Sequence, residues 1–302
     1  MTAMRRLDWS VLLGTARVPF LILTPACVAL GVGTAYWTAG RVSVAYALLV
    51  LLGATAAHVS VNALNEYVDF RSKLDFHTLR TPFSGGSGTL PARPELARQA
   101  LGLGVAGLLM AAGIGIYFVR VRGWALLPLG LLGLLVVVVY TPWLARVPFL
   151  CLIAPGLGFG PLMVVGTDFV LSGGYSWSAF VASLVPFFLV SDLLLLNQFP
   201  DAEPDRHVGR RHYPIVIGRR RSSVIYGTFL LLNYLSIIAG VLLNLLPAAS
   251  LLGLGTVLVA VPAARNAYVY ANDLKRLVPS LGLNVIINVA TPVLVAIGLF
   301  LG

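Results

Sequence analysis

Ionisable side chains are scarce in this chain of 302 residues, of which only 11% are Asp, Glu, Lys or Arg. Soluble globular proteins carry about 25% of these residues, so the composition excludes an ordinary soluble domain. Cys27 and Cys151, the two cysteines, both fall in apolar stretches, which excludes a disulfide framework and a cysteine-based zinc site. The four histidines show no spacing typical of metal ligands.

Long hydrophobic runs recur along the whole sequence, and 58% of its residues are hydrophobic. A helix needs about 20 apolar residues to cross a bilayer. Nine runs approach or exceed that length: 18–37, 43–64, 97–118, 123–143, 147–171, 178–199, 223–244, 247–268 and 281–301. The sequence therefore predicts an all-α, polytopic membrane protein, with nine transmembrane helices in a single domain that spans residues 1–302.

The basic residues are distributed unevenly between the two faces that these spans define. Of the 21 Lys and Arg residues, only Arg41, Arg120 and Arg122 fall on the side opposite the N-terminus, which leaves 18 on the N-terminal side. Because cytoplasmic loops are enriched in Lys and Arg, the N-terminus is predicted to be cytoplasmic, in a bacterial-type inner or plasma membrane. The net charge of +10 is explained by this asymmetry, and nucleic acid is not expected as a partner.

Six of the 11 acidic residues lie in two stretches that begin with the same pattern, Asn-x-x-x-Asp. The key residues of these stretches are Asn65, Asp69, Asp75, Asn197, Asp201 and Asp205. Each stretch follows the second span of a group of four, at a constant offset of 132 residues, which favours two four-helix groups plus a ninth helix. Both stretches belong to the long predicted cytoplasmic loops, about 65–96 and 200–222.

Residues four apart share one face of a helix, so Asn65 and Asp69 are expected to point together into a cavity. Asn197, Asp201 and Asp205 have the same spacing, but Pro200 and Pro204 interrupt them. The sequence leaves open whether this helix is broken or whether Asp201 begins a new helix as its N-cap. Carboxylate and amide oxygens without nearby His or Cys favour a hard cation, above all Mg²⁺.

Basic residues and glycines follow these acids. Arg71, Lys73 and Arg80 come after the first stretch, and Arg206, Arg210 and Arg211 come after the second. A glycine-rich segment, 84–88, brings backbone N–H groups within reach of an anion. Acids that hold a metal, beside bases that hold oxygens, are typical of a site for a metal-bound diphosphate.

The two motifs resemble those of the UbiA superfamily of intramembrane prenyltransferases, and the resemblance covers essentially the whole chain. The first motif, with Asp75 six residues past Asp69, most resembles that of the MenA-like branch, which prenylates dihydroxynaphthoate. The second motif with its tail, Gly209-Arg210-Arg211, and the segment Tyr140-Thr141-Pro142 also resemble that branch.

This resemblance implies a Mg²⁺-dependent transfer of an isoprenoid chain from its diphosphate to a small aromatic acceptor, in quinone biosynthesis of the menaquinone type. It implies that Asn65 and Asp69 hold one Mg²⁺ and that Asp201 and Asp205 hold another. The implied catalytic carboxylates are Asp69, Asp75, Asp201 and Asp205. The residues implied in diphosphate binding are Lys73, Arg80, Arg146 and Arg210.

Three positions depart from the family pattern. Glu66 stands where the family usually has Asp, which puts a metal contact at that position in question. Lys73 replaces a glycine and adds a possible diphosphate contact. A family Lys that follows the fourth span is absent, and Arg146 is the nearest base.

Other functions are compatible with parts of the pattern. The acceptor could be a hydroxybenzoate-type ring or a non-aromatic molecule. A CDP-alcohol phosphotransferase carries one compact acidic motif, whereas this chain has two that are four spans apart. A cation transporter also places carboxylates inside a helical bundle, but here both acidic stretches lie at one predicted face beside bases suited to phosphate.

The predicted topology places the glycine-rich segment and the second acidic loop on the same side of the membrane. A cysteine introduced at position 85 and one introduced at position 208 should both react with a membrane-impermeant thiol reagent from the cytoplasmic side only. Labelling of the two positions from opposite sides would contradict a single shared pocket.

Overall fold

The fold is described by a computed structural model, which covers residues 8–78 and 80–302. Arg5 and Arg6, two of the predicted cytoplasmic bases, lie outside the described residues. Every regular element within the covered residues is helical. The all-α prediction is therefore confirmed for this part of the chain.

Nine apolar helical segments follow one another within the described residues. Eight of them are long and apolar enough to cross a membrane: α1 (Val18–Ala39), α2 (Val44–Arg71), α3 (Pro94–Arg122), α5 (Pro148–Ser172), α6 (Trp177–His207), α7 (Arg219–Leu242), α8 (Ala248–Val269) and α9 (Leu274–Leu301). The remaining segment, α4 (Trp124–Val139), is shorter. Its 16 residues extend about 24 Å as a helix, against a hydrocarbon core of about 30 Å.

Two helices continue seven or eight residues past the predicted ends of their apolar runs, and α9 begins seven residues before its predicted start at 281. The second span was expected to end at 64 and the sixth at 199, whereas α2 reaches Arg71 and α6 reaches His207. The α-helix of α6 is continuous through Pro200 and Pro204, so neither a broken helix nor an N-cap at Asp201 is observed. Each proline removes one backbone hydrogen bond. The buried side chains Phe199 and Ala202 pack this end of α6 against the bundle.

The dense part of the bundle surrounds α6, which packs against α5, α7, α9 and α1. Its largest buried side chains include Leu189, Leu196 and Phe199 from α6, Tyr226 from α7 and Ile287 from α9. Close contact among such side chains fills the interior at the density typical of proteins, and van der Waals packing of this kind holds membrane helices together. This part of the molecule is a packed scaffold.

The other part of the bundle is built from α2, α3 and α4, and it is less densely filled. α2 packs closely against α3, because Gly104 and Gly107 carry no side chain at the crossing. The Ser60 hydroxyl donates a hydrogen bond to the Gly104 carbonyl, 2.7 Å away. Small residues of this kind are typical of contacts between membrane helices, because they let the backbones approach.

The α2–α3 crossing predicts a clear difference between two glycines of α3. A Cβ atom at Gly107 would lie 2.6 Å from the Ala56 carbonyl oxygen, whereas one at Gly113 would meet nothing within 4 Å. We expect Gly107→Leu to destabilise the protein by about 1–3 kcal/mol, because the helices must separate. Gly113→Leu is the matched control and should leave the melting temperature in detergent unchanged or slightly raised, because the position is open. Equal melting temperatures for Gly107→Leu and wild type would contradict this packing.

Candidate functional site

A cavity of about 910 Å³ lies between the less densely filled part of the bundle, built from α2, α3 and α4, and the dense part around α6. Its polar end contains both acidic motifs, with Asn65 and Asp69 on α2 and Asp201 and Asp205 on α6. Asp75, in the turn that follows α2, also lines it. The structure thus brings together the four carboxylates that the sequence predicted to be catalytic. Their roles remain predictions.

Arg210 connects the two motifs across the cavity. One of its terminal nitrogens donates to Asp205 Oδ1 over 3.1 Å, and the other pairs with Asp69 Oδ1. Burial lowers the pKa of Arg210, but the Asp69 and Asp205 carboxylates outweigh this effect and hold the pKa above its usual value. Arg210 therefore stays charged and neutralises part of the repulsion between the two acids.

Three buried oxygen atoms at this end of the cavity accept no hydrogen bond within the described part of the chain. They belong to Asp75 (Oδ2), Asn197 (Oδ1) and Asp201 (Oδ1), and all three residues line the cavity. Buried polar atoms normally have partners. Oxygen atoms from carboxylates and amides are the protein ligands that Mg²⁺ prefers, and the ion completes its shell with phosphate and water oxygens.

The carboxylates do not form a ready-made protein cage for a metal. Within residues 8–78 and 80–302, no group of three or more His, Cys, Asp and Glu side chains lies close enough together to hold an ion. A cage is not required for Mg²⁺, which is usually bound through one or two carboxylates plus substrate phosphates. The donor set therefore fits a metal that arrives with an anionic substrate.

Asp75 differs from an ordinary surface aspartate in its acidity. Burial raises its pKa, and the neighbouring charges of Asp69 and Glu66 raise it further, to about 7. A cation beside Asp75 would favour its ionised form and lower this pKa again. Asp75 is thus positioned to respond to positive charge in the cavity.

Arg17 lines the same end of the cavity, although the sequence analysis gave it no role in the site. It donates to Asn65 Oδ1 over 3.2 Å, and Asn65 in turn donates to Thr141 Oγ1 over 3.1 Å. Burial lowers the pKa of Arg17, but the Glu66 carboxylate outweighs this effect and keeps the pKa above its usual value. Because Arg17 precedes α1 and lies 48 residues before Asn65, the sequence carries no local signal for this contact.

Of the four bases predicted to bind diphosphate, Arg210 lines the cavity and the other three lie outside its lining in the described structure. Lys73 is exposed, in a left-handed turn with φ of 64°. Arg80 is also exposed, and its guanidinium packs over Gly88, which has no side chain and a φ of 73°. Arg146 is exposed in the short helix Leu144–Arg146. A diphosphate contact for these three residues stays a prediction.

His212 is a second residue of the cavity that sequence spacing did not identify. It is buried, and its Nε2 lies 3.0 Å from Asp205 Oδ2. Asp205 is therefore held on one oxygen by Arg210 and on the other by His212. The six residues between Asp205 and His212 include the end of α6 and a turn, so helical periodicity does not predict the pairing.

The chain matches known proteins in both sequence and fold. The model of the UbiA prenyltransferase family matches residues 22–280. A 1,4-dihydroxy-2-naphthoate octaprenyltransferase of Bacillus subtilis is 25% identical over 195 residues, which cover 63% of this chain and 61% of that relative.

Two solved structures of archaeal proteins share the fold. An apo UbiA homologue from Aeropyrum pernix has a TM-score of 0.67 and 20% identity, and covers 94% of this chain and 98% of its own. A UbiA homologue from Archaeoglobus fulgidus bound to DMAPP and Mg²⁺ has a TM-score of 0.60 and 14% identity, with 94% and 98% covered. With the family model spanning most of its length and its helices long enough to cross a bilayer, the chain is an integral, multi-pass membrane protein that belongs to the UbiA prenyltransferase family.

Proposed function

We propose that this protein is a Mg²⁺-dependent intramembrane prenyltransferase, which moves an isoprenoid chain from its diphosphate to an aromatic acceptor in quinone biosynthesis. One observation carries the proposal: a single cavity joins a polar end with four carboxylates to a long apolar wall. An isoprenoid diphosphate is divided in the same way, with a charged diphosphate at one end and a hydrocarbon tail at the other.

The residues at the polar end are suited to the head group. Asn65 and Asp69 on α2, and Asp201 and Asp205 on α6, would hold Mg²⁺, whose charge stabilises the departing diphosphate when it is bound. Arg17 and Arg210 add positive charge from the protein itself. Departure of the diphosphate leaves an allylic cation, and the electron pair of an acceptor carbon forms the new bond while the acceptor loses a proton.

The rest of the cavity is suited to the tail. On α2, the lining extends from Asp69 back to Val50, nineteen residues away, which corresponds to about 28 Å along the helix. The wall opposite includes Gly130 and Gly133 of α4 and Gly158 of α5, and a Cβ atom added to any of them would meet nothing within 4 Å. Apolar walls also keep water away from an allylic cation.

We further propose nine membrane spans in one domain, arranged as two groups of four plus α9, with a cytoplasmic N-terminus in a bacterial-type membrane. α4 is short for a membrane span. Local thinning of the bilayer, or flanking polar side chains that extend to its surface, can accommodate the difference between the helix length and the bilayer thickness. The 18-to-3 distribution of basic residues supports the orientation. The active site would then face the cytoplasm.

For the acceptor, we propose a dihydroxynaphthoate-type ring. The Bacillus subtilis relative and the segment Tyr140-Thr141-Pro142 support this choice. Ring hydroxyls make an aromatic carbon nucleophilic enough to attack an allylic cation without a strong base. Tyr140 and Gln198 line the cavity beside the acids, so polar groups are available for such a ring.

The proposed metal ligands predict a loss of turnover without a loss of fold. We expect Asp69→Ala and Asp201→Ala each to lower prenyl transfer by about 100-fold or more, because the departing diphosphate loses electrostatic stabilisation. Both variants should remain monodisperse in detergent, because the dense core around α6 is unchanged and Arg210 keeps its pairing with Asp205. Glu203→Ala is the control, since this glutamate is exposed and lies outside the cavity lining. Turnover near the wild-type value in either aspartate variant would remove that residue from the site.

The acceptor proposal predicts a preference that a single assay measures. Purified protein with Mg²⁺ and a long isoprenoid diphosphate should release diphosphate faster when dihydroxynaphthoate is added than when hydroxybenzoate or glycerol phosphate is added. Equal or reversed stimulation would contradict the dihydroxynaphthoate assignment. Absence of release with every acceptor would contradict the prenyltransferase proposal itself.

A further inference from the structure

Glu66 lies within the first acidic motif, yet its carboxylate does not face the cavity. The residue is fully buried and is absent from the cavity lining, unlike Asn65 and Asp69 on either side of it. Both of its carboxylate oxygens already accept hydrogen bonds. Oε1 accepts from Arg17 Nε over 2.7 Å and from the Ser87 backbone N–H over 2.8 Å, and Oε2 accepts from the Ser87 hydroxyl over 2.7 Å.

Ser87 belongs to the glycine-rich segment 84–88, which borders the polar end of the cavity. Gly85 and Gly86 line the cavity with φ angles of 88° and 72°, a region that favours glycine. A Cβ atom at Gly86 would lie 3.0 Å from Asp75 Oδ1 and 3.5 Å from Glu66 Oε1. The segment therefore passes close over the acids, and Ser87 attaches it to α2 through Glu66.

The same carboxylate also orients Arg17. While Arg17 Nε donates to Glu66, one of its terminal nitrogens donates to Asn65, and the guanidinium borders the cavity. Arg17 itself has a left-handed backbone, with φ of 52°. Charge-assisted hydrogen bonds of this kind are stronger than neutral ones, so a single buried side chain fixes two separate parts of the cavity rim.

We propose that Glu66 is a positioning residue, which fastens both the glycine-rich segment and Arg17 around the polar end of the cavity, and that it is not a metal ligand. The proposal rests on the proposed function, in that the cavity is taken to bind an isoprenyl diphosphate. The length of the side chain matters. Aspartate lacks one methylene group and is about 1.5 Å shorter, too short to reach Arg17 and Ser87 at once without movement of the backbone.

Two substitutions of Glu66 distinguish a positioning role from metal binding. The two roles predict opposite answers to the question of which substitution is the more harmful. Glu66→Gln keeps the length and can still accept from the Ser87 N–H, whereas Glu66→Asp keeps the charge and shortens the side chain. Under our proposal, hydrogen–deuterium exchange in a peptide covering 80–90 is accelerated in Glu66→Asp and stays near wild type in Glu66→Gln. With geranyl diphosphate and saturating Mg²⁺, the half-saturating diphosphate concentration rises about tenfold in Glu66→Asp.

A metal ligand would behave in the reverse way. Glu66→Asp, which introduces the residue usual in the family, would retain both wild-type exchange and wild-type Mg²⁺ dependence, and Glu66→Gln would raise the half-saturating Mg²⁺ concentration. That result would overturn the proposal. Ser87→Ala removes the hydroxyl that donates to Glu66 and leaves the carboxylate in place. It should also accelerate hydrogen–deuterium exchange in the peptide covering 80–90. Unchanged exchange in both Ser87→Ala and Glu66→Asp would also overturn it.

Glu203→Asp and Glu203→Gln are the matched controls. Glu203 is an exposed glutamate on α6 whose carboxylate pairs with Arg206 over 3.7 Å, and neither change should alter exchange in 80–90 or diphosphate binding. The exchange measurement does not depend on activity. If the wild-type protein fails to bind geranyl diphosphate, the proposed function is wrong. The comparison of exchange rates in Glu66→Asp and Glu66→Gln still decides whether Glu66 holds the segment 84–88 in place.

Discussion

The ion pairs of Arg210 with Asp69 of α2 and Asp205 of α6 connect the two acidic motifs through aspartates that are 136 residues apart in sequence. Without a positive charge between them, buried carboxylates that face one another would repel and would be costly to ionise. Arg210 supplies that charge from the loop that follows α6, and His212 holds the second oxygen of Asp205. The shape of the polar end depends on this arrangement, because it fixes the distance between the two helices that carry the proposed ligands.

The same arrangement explains how the site would accept a metal. Arg210 occupies oxygens of Asp69 and Asp205, whereas an oxygen of Asp75, of Asn197 and of Asp201 accepts no hydrogen bond in the described structure. A cation that enters with a diphosphate would find these oxygens available, and its charge would add to that of Arg210 beside the acids.

The bundle separates stability from function. Around α6, large side chains such as Leu196, Phe199 and Tyr226 are fully buried and form a dense core. α2, α3 and α4 contribute few such residues, and they border the cavity and the lipid instead. A rigid framework can hold the second motif in place, because α6 belongs to both parts. The first motif lies on α2, where Arg17 donates hydrogen bonds to Asn65 and Glu66, and Ser87 of the segment 84–88 donates to Glu66.

Sequence patterns by themselves determined the helical membrane class, the approximate positions of the nine apolar segments, and the family. Hydrophobic length and the Asn-x-x-x-Asp spacing are local properties, so they are readable without a structure. The spacing predicted Asn65, Asp69, Asp201 and Asp205 as residues of one site, and the family resemblance added Asp75 and Arg210; all six line one cavity.

Only the tertiary structure decided which bases reach that cavity. Lys73 and Arg80 follow the first motif closely in sequence and Arg146 follows the fourth predicted span, yet none of the three is in the cavity lining, whereas Arg17 and His212 are. The continuity of α6 through Pro200 and Pro204 also depends on packing, because the intrinsic preference of proline is to interrupt a helix. The orientation of Glu66 away from the cavity has the same cause: its partners, Arg17 and Ser87, come from distant parts of the chain, and side-chain pairing between distant segments leaves no periodic signal in the sequence.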